Sequence, residues 1–256
     1  MKKTSISIVG AGNVATHMAL ALQAAGHSIR QVLSRTYDHA QLLSARVGAQ
    51  AIDNPHLLDD ESDVCLLAVG DDALYDLALD LRLPTTLVLH TSGSTPMKVL
   101  APISARYGVV WSPQTFVRDI AMDYSALPLC IEGCTARTES EIEELMGCIS
   151  RHIYHLNQEQ RSHAHLAAVM VSNFTCAVDA LAQQYAETHG VPFEMLRPLA
   201  EQTLRKWDYG DLWAQVTGPA RRRDEKTINA HRRLLQDNPE ATKLYDLLTE
   251  IIQSHT

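Results

Sequence analysis

"SISIVGAGNVA", residues Ser5 to Ala15, runs from a β-branched stretch directly into three small residues, Gly10, Gly12 and Ala15, at spacings of two and three. The first half reads as a strand. The adjoining "NVATHMALALQAAGH" reads as a helix, because Val14, Met18 and Leu22 recur every four residues before Gly26 can end it. In such a strand, turn and helix, Gly10 permits the turn, Gly12 lets backbone approach a bound diphosphate, and Ala15 keeps the helix close to the sheet. Free N–H groups at the helix start would hold the phosphates. Taken alone, a G-x-G-x-x-A string serves equally to pack a tight turn or to bind phosphates, so its meaning depends on the elements after it.

Those elements repeat the unit. "SIRQVLSR" supplies a second strand, "DHAQLLSARVG" a helix, "AQAID" a short strand, "DVCLLAV" an apolar strand, "DDALYDLALDL" a helix and "TTLVLHT" another strand. Continuous apolar strands separated by helices predict an α/β fold, a Rossmann-like and mostly parallel sheet covered on both faces. In that setting the first turn is expected to bind a dinucleotide; adenosylmethionine, which a glycine-rich turn can also hold, fits the spacing less well.

The end of the second strand, "VLSRT", offers Ser34, Arg35 and Thr36 where NAD-selective sites commonly place an acid, and a hydroxyl beside a cation suits a 2′-phosphate. NADP is therefore the expected cofactor. Beyond the fourth strand, "AVGDDAL" turns through Gly70. There Asp71 and Asp72 are expected to cap the next helix, and the backbone at Val69 to line the dinucleotide cleft. "HTSGS" puts Ser92 and Gly93 beyond a strand end, where ligands collect. The cofactor-binding set is thus Gly10, Gly12, Asn13, Val14, Ser34, Arg35, Val69 and Ser92. Further on, Trp111 and Phe116 of "YGVVWSPQTFVRD" are expected in the core, with Gln114 and Thr115 near the cleft. Thr138 and Glu141 match a capping box.

From about Glu159 the pattern changes, dividing the chain into a dinucleotide-binding domain, 1–157, and an all-helical domain, 158–256. "EQRSHAHLAAVMVSNFTCAVDALAQQYAETHG" has no Pro or Gly before Gly190 and predicts one long helix buried on most sides, which favours a homodimer. On it His165, Val169 and Asn173 share a face at spacings of four. His165 could exchange a proton and Asn173 could orient a carbonyl or a water; each residue type is equally at home as a satisfied structural group. In "VTGPARRRDEKTINAHRRLL", Asp224, Thr227 and His231 fall on one stripe after Arg221, Arg222 and Arg223. That stripe suits an anionic-substrate clamp with a proton-transfer histidine, or a solvated face with Asp224 as cap.

Composition bounds the partners. With 46% apolar residues the 256-residue chain can build a substantial core, and a net charge of -8 argues against a nucleic-acid sheath. Five cysteines without paired metal-type spacing predict reduced thiols in a cytoplasmic protein with no structural metal. The amino terminus carries two lysines but its apolar run breaks at Gly10. No stretch reaches the roughly 18 to 20 uninterrupted apolar residues of a membrane span, so none is expected.

Over nearly its whole length the sequence resembles a bacterial family of predicted NADP-dependent oxidoreductases, through "GAGNVA", "HTSGS", "SPQTF", "HLAAVMVSNF" and "TGPARRRDEKTINAH". It is more distantly similar to pyrroline-5-carboxylate reductases, ketopantoate reductases and 3-hydroxyacid dehydrogenases. The resemblance implies a Rossmann-like domain followed by a helical domain that helps form a homodimer. Two departures stand out. Where the family has Arg, Gly and Asp together after Gly-Pro, this chain has Arg222, Arg223 and Asp224. Where hydroxyacid dehydrogenases carry a catalytic Lys four residues before a helical Asn, Asn173 is matched but the Lys position is Val169. A proton must then come from His165, His231, substrate or water. The expectation is an NADPH-dependent reductase of a small carbonyl or imine, anionic substrates included, bound between the domains. The alternative is a non-catalytic NADP-binding regulator or assembly protein.

Overall fold

The computed structural model describes residues 3–117, 120 and 122–255. The first unit is built from β1 (Ser5–Val9), α1 (Asn13–Ala24), β2 (Ser28–Leu33), α2 (Tyr37–Val47), β3 (Gln50–Ile52), β4 (Val64–Leu67), α3 (Asp71–Asp80), β5 (Leu87–His90), β6 (Arg106–Trp111), β7 (Pro128–Gly133), α4 (Ala136–Met146) and β8 (His152–His155). These strands form one eight-stranded sheet in the order β3-β2-β1-β4-β5-β6-β7-β8. Every neighbouring pair is parallel except β6 with β7. The α/β, Rossmann-like class expected from the alternation of strands and helices is what the chain adopts.

Both faces of the sheet are covered, which explains why its strands read as unbroken apolar runs. Side chains alternate in direction along a strand. Ile6, Ile8, Val32, Leu66 and Leu89 therefore pack in one buried cluster with Ala15, Met18 and Leu22 of α1. Val9, Leu33, Cys65, Leu67 and Val88 pack in another with Leu74 and Ala78 of α3. Chain order reverses across β1, which pairs with β2 on one side and β4 on the other. The carboxyl ends of those strands are the place where open α/β sheets leave a crevice.

The chain divides into compact units at Asn173 and Phe174, later than the boundary expected at 157. The reason is α5 (Gln158–Val169), whose first turns are tied to the sheet. Asn157 and Gln160 close a capping box on it. The Arg161 side chain, 1% exposed, pairs with Glu132 of β7 and donates to the Thr95 carbonyl at 3.0 Å.

Three local expectations are corrected. Helix α4 starts earlier than Thr138: its cap is Thr135, whose hydroxyl accepts from the Thr138 N–H, while Glu141 pairs with Arg106 and Arg137. Helix α3 has Gly70 at its cap, and Asp71 instead accepts from the Ser94 hydroxyl at 2.6 Å. The run Gln158–Thr188 is helical throughout, but a π turn at Met170–Phe174 separates α5 from α6 (Thr175–Thr188), and within the single chain it is not buried on most sides. Leu166, Met170, Val171 and Phe174 are all more than half exposed. By length and composition this helix could also cross a membrane, contrary to the sequence-based expectation.

The second unit continues from α6 through α7 (Arg197–Arg205), α8 (Glu225–Leu234) and α9 (Pro239–Ser254). It is all helical apart from its turns. Among its described residues only Ala186, Ala220, Ile228 and Thr249 are buried, so within one chain it has almost no core.

Candidate functional site

A cavity of about 560 Å³ opens where β1, β2 and β4 end, lined by Gly10, Gly12, Asn13, Val14, Ser34, Arg35 and Val69. Seven of the eight residues expected to bind the cofactor therefore meet in one place. Gly10 has φ +114°, and a Cβ there would stand 2.2 Å from the Ala68 carbonyl oxygen, so no other residue fits. A Cβ on Gly12 would meet no protein atom within 4 Å; what it would obstruct is the cavity. The start of α1 has neither a side-chain cap nor an acid in its first turn, which leaves its N–H groups and positive dipole end for an anion. The residues present fit the diphosphate of a dinucleotide.

Arg35 makes no hydrogen bond or ion pair with any described residue, although Asp53, Asp76 and Asp80 line the same cavity. An unengaged guanidinium suits a 2′-phosphate. The Asn13 side chain is already engaged, donating to the Phe116 carbonyl at 2.8 Å, so its backbone is what the cavity receives. Ser92 does not line this cavity. Its hydroxyl accepts from the Ser94 and Thr95 N–H groups, and the loop after β5 uses it for its own turn.

Two further chambers adjoin. The first, about 110 Å³, shares Val14 and Thr91 with the large cavity and adds Met18, Val110, Trp111, Ser112, Gln114, Phe116 and Leu129. The second, about 240 Å³, shares Trp111, Ser112 and Gln114 with the first and is lined further by Pro113, Thr115, His165, Ala168, Val169, Val171, Ser172 and Asn173. The face shared by His165, Val169 and Asn173 is real. Ser172, seven residues after His165, joins it, and its hydroxyl lies 3.2 Å from that of Thr115.

The His165 ring packs edge-on against Trp111, centroids 5.7 Å apart. Gly93 makes room for both: a Cβ there would approach the His165 and Trp111 rings to 2.9 Å. The anchoring of α5 through Arg161, one turn earlier, fixes this register.

Other polar groups around the strand ends are part of the framework. His90 is fully buried; burial, then the charge of Arg161, pushes its imidazole down to about 4. Burial opposes ionisation of Asp71, but hydrogen bonds from Ser94, Ser92 and Thr95 prevail and hold its carboxyl below the usual range. His17 on α1 bonds to the Tyr124 hydroxyl and the Val117 carbonyl, each at 2.9 Å.

In the second unit, the expected polar stripe forms but is engaged locally. Asp224 caps α8, accepting from the N–H and hydroxyl of Thr227 at 3.1 and 2.7 Å. His231 Nδ1 lies 2.9 Å from the Tyr245 hydroxyl. Arg221 and Arg223 donate to the His255 and Gln253 carbonyls at the end of α9, at 3.2 and 2.7 Å. Among the described residues Arg223 is the one non-glycine residue with a left-handed backbone, φ +52°.

Sequence reasoning passes over Ser112, Arg161 and His90. Only Arg161 carries a signal, as a cation ahead of an apolar helical run; the other two depend on which strand end meets which loop.

Residues 1–112 match the model of a Rossmann-like domain, and residues 127–252 match that of a domain of unknown function, DUF2520. The solved structures include a "putative NADP oxidoreductase" from Bacteroides fragilis, 33% identical over 98% of both chains with a TM-score of 0.91. At 17% identity, with a TM-score of 0.75 and 99% and 98% coverage, stands a reductive aminase from Aspergillus terreus in complex with NADPH and ethyl-5-oxohexanoate. An imine reductase from Myxococcus stipitatus in complex with NADP+ shares 16% identity over 98% and 93% of the chains, with a TM-score of 0.68. Among curated proteins none matches.

Proposed function

The chain belongs to the family of the Bacteroides fragilis protein, a Rossmann-like domain joined to DUF2520, and on that footing we propose that it is an NADPH-dependent reductase of a small carbonyl or imine compound. The observation that carries the proposal is the run of three chambers with shared walls, from Gly12 through Val14 and Thr91 to Ser112 and on to His165. Its dimensions suit a dinucleotide, a single ring and a small substrate in that order.

Bound NADPH supplies a hydride, and everything else falls to the chain. The N–H groups of α1 hold the diphosphate, and Ser34 and Arg35 the 2′-phosphate. Apolar side chains around the middle chamber exclude water. In the last chamber His165 donates a proton to the substrate oxygen or nitrogen, and Asn173 orients that atom. Val169, which has no proton to give, forms apolar wall.

The second unit is proposed to form a homodimer. Its exposed side chains include Met195, Leu199, Leu204 and Trp207, and an almost wholly apolar groove of about 470 Å³ runs between Val178, Tyr185, Leu196, Leu244 and Leu248. A second copy covering this surface supplies the missing core. The five free thiols support a cytoplasmic setting.

The test is NADPH oxidation by purified protein against a panel of ketones, aldehydes, cyclic imines and oxo acids. Turnover of one class, reduced at least tenfold in His165→Gln with NADPH binding intact, is the expected result. Tight cofactor binding without turnover of any class would instead support the non-catalytic regulator.

A further inference from the structure

We propose that Ser112 recognises the carboxamide of the nicotinamide ring. The inference rests on the dinucleotide occupying the large cavity, but not on reduction taking place. Ser112 follows Trp111 at the carboxyl end of β6 and lines both the middle chamber and the one that holds His165. Its hydroxyl oxygen is shut away from solvent and has no hydrogen-bond partner among the described residues. A buried polar atom left in that state destabilises the protein that carries it, and a ligand group that pairs with it removes the cost.

The chamber's chemistry identifies that group. Val14, Met18, Val110, Phe116 and Leu129 give it apolar walls, with polar side chains only from Thr91, Ser112 and Gln114 apart from the indole of Trp111. This is the lining a flat aromatic ring bearing one amide requires. Gln114 already uses its side-chain oxygen to accept from the Thr115 N–H at 3.1 Å. Ser112 is the hydroxyl in reserve. Rotation about one bond can turn it toward the ring, and it can donate to the carboxamide oxygen or accept from its nitrogen.

The experiment compares wild type with Ser112→Ala by calorimetric titration of two probes, NADP+ and 2′-phospho-ADP-ribose, which lacks the nicotinamide. The expected result is a loss of roughly tenfold in NADP+ affinity, one hydrogen bond's worth, with 2′-phospho-ADP-ribose unchanged. The free variant should melt at the same temperature as wild type or higher, since an unpaired buried group is gone. Equal losses for both probes, or none for either, would overturn the assignment. Failure of wild type to bind either probe would overturn it together with the cofactor reading. The expected binding pattern without turnover of any substrate would sink the reductase reading alone.

Discussion

Gly10 and Gly12 are the same residue type serving different ends, and substitutions separate them. A side chain at position 10 collides with the Ala68 carbonyl and with a backbone at φ +114°, so Gly10→Ala should lower the melting temperature whether or not cofactor is present. At position 12 an added Cβ meets no protein atom within 4 Å. Gly12→Ala should therefore leave the free protein's melting temperature unchanged while weakening NADPH roughly tenfold, about 1.4 kcal/mol, as read by titration. Arg35→Ala should cost NADPH about 1.5–3 kcal/mol of binding and NADH almost nothing, because only the phosphorylated cofactor pairs with the guanidinium. Arg223 is the third informative residue. Its left-handed backbone costs a side-chain-bearing residue about 1 kcal/mol, and Arg223→Gly and Arg223→Ala both lose the bond to the Gln253 carbonyl. Gly should then be the more stable of the two by about 1 kcal/mol in denaturant titrations. At this scale the sequence is readable where a motif fixes a turn, as at Gly10 and Gly12. It misleads where a residue's partner cannot be read from its neighbours: Ser92, Arg221 and Arg223 all look available in the sequence and are engaged by carbonyls or N–H groups in the fold.

Among elements, α5 has the most to explain. Its register depends on Arg161, buried against Glu132 and the loop at Thr95, with His165 one turn further on. The alternation of strands and helices is legible because each strand is covered on both faces. The π turn is not, since one extra residue in a helical turn leaves the pattern of apolar residues nearly unchanged. Ser172 and Asn173, which belong to it, line the same chamber as His165. The end of β5 offers a pH test of this framework. His90 stays neutral when folded down to about 4, whereas an unfolded histidine takes up a proton near 6.5, so acid favours the unfolded chain. Above pH ~6.5 His90 adds no pH dependence; as pH falls from there to about 4, stability should drop by on the order of 3 kcal/mol. The sign is opposite to that of a histidine held by a carboxylate. Asp71, shifted downward, loses its contribution only below the ordinary carboxylate range, so the two windows are separable. Urea midpoints at pH 7 and pH 5 should differ clearly in wild type and less in His90→Gln.

For the whole molecule, the contrast between the units decides most. The first has three buried clusters around a covered sheet, while the second buries four described residues. Sequence composition predicts an apolar helix but cannot say which surface covers it, and no described segment of the same chain buries it. Sedimentation should show a dimer, and Val178→Glu with Leu248→Glu should shift it to monomer with a lower melting temperature. A wild-type monomer that needs detergent to stay dispersed would favour a membrane surface as the cover.

The three chambers carry the functional account, and a crystal structure of the NADP+ complex tests it most directly. The account predicts the diphosphate at Gly12, the nicotinamide ring between Val14 and Ser112, and its reactive face turned toward the chamber of His165. A dinucleotide whose nicotinamide lies outside the middle chamber, with Phe116 and Leu129 closed over it, would contradict the account.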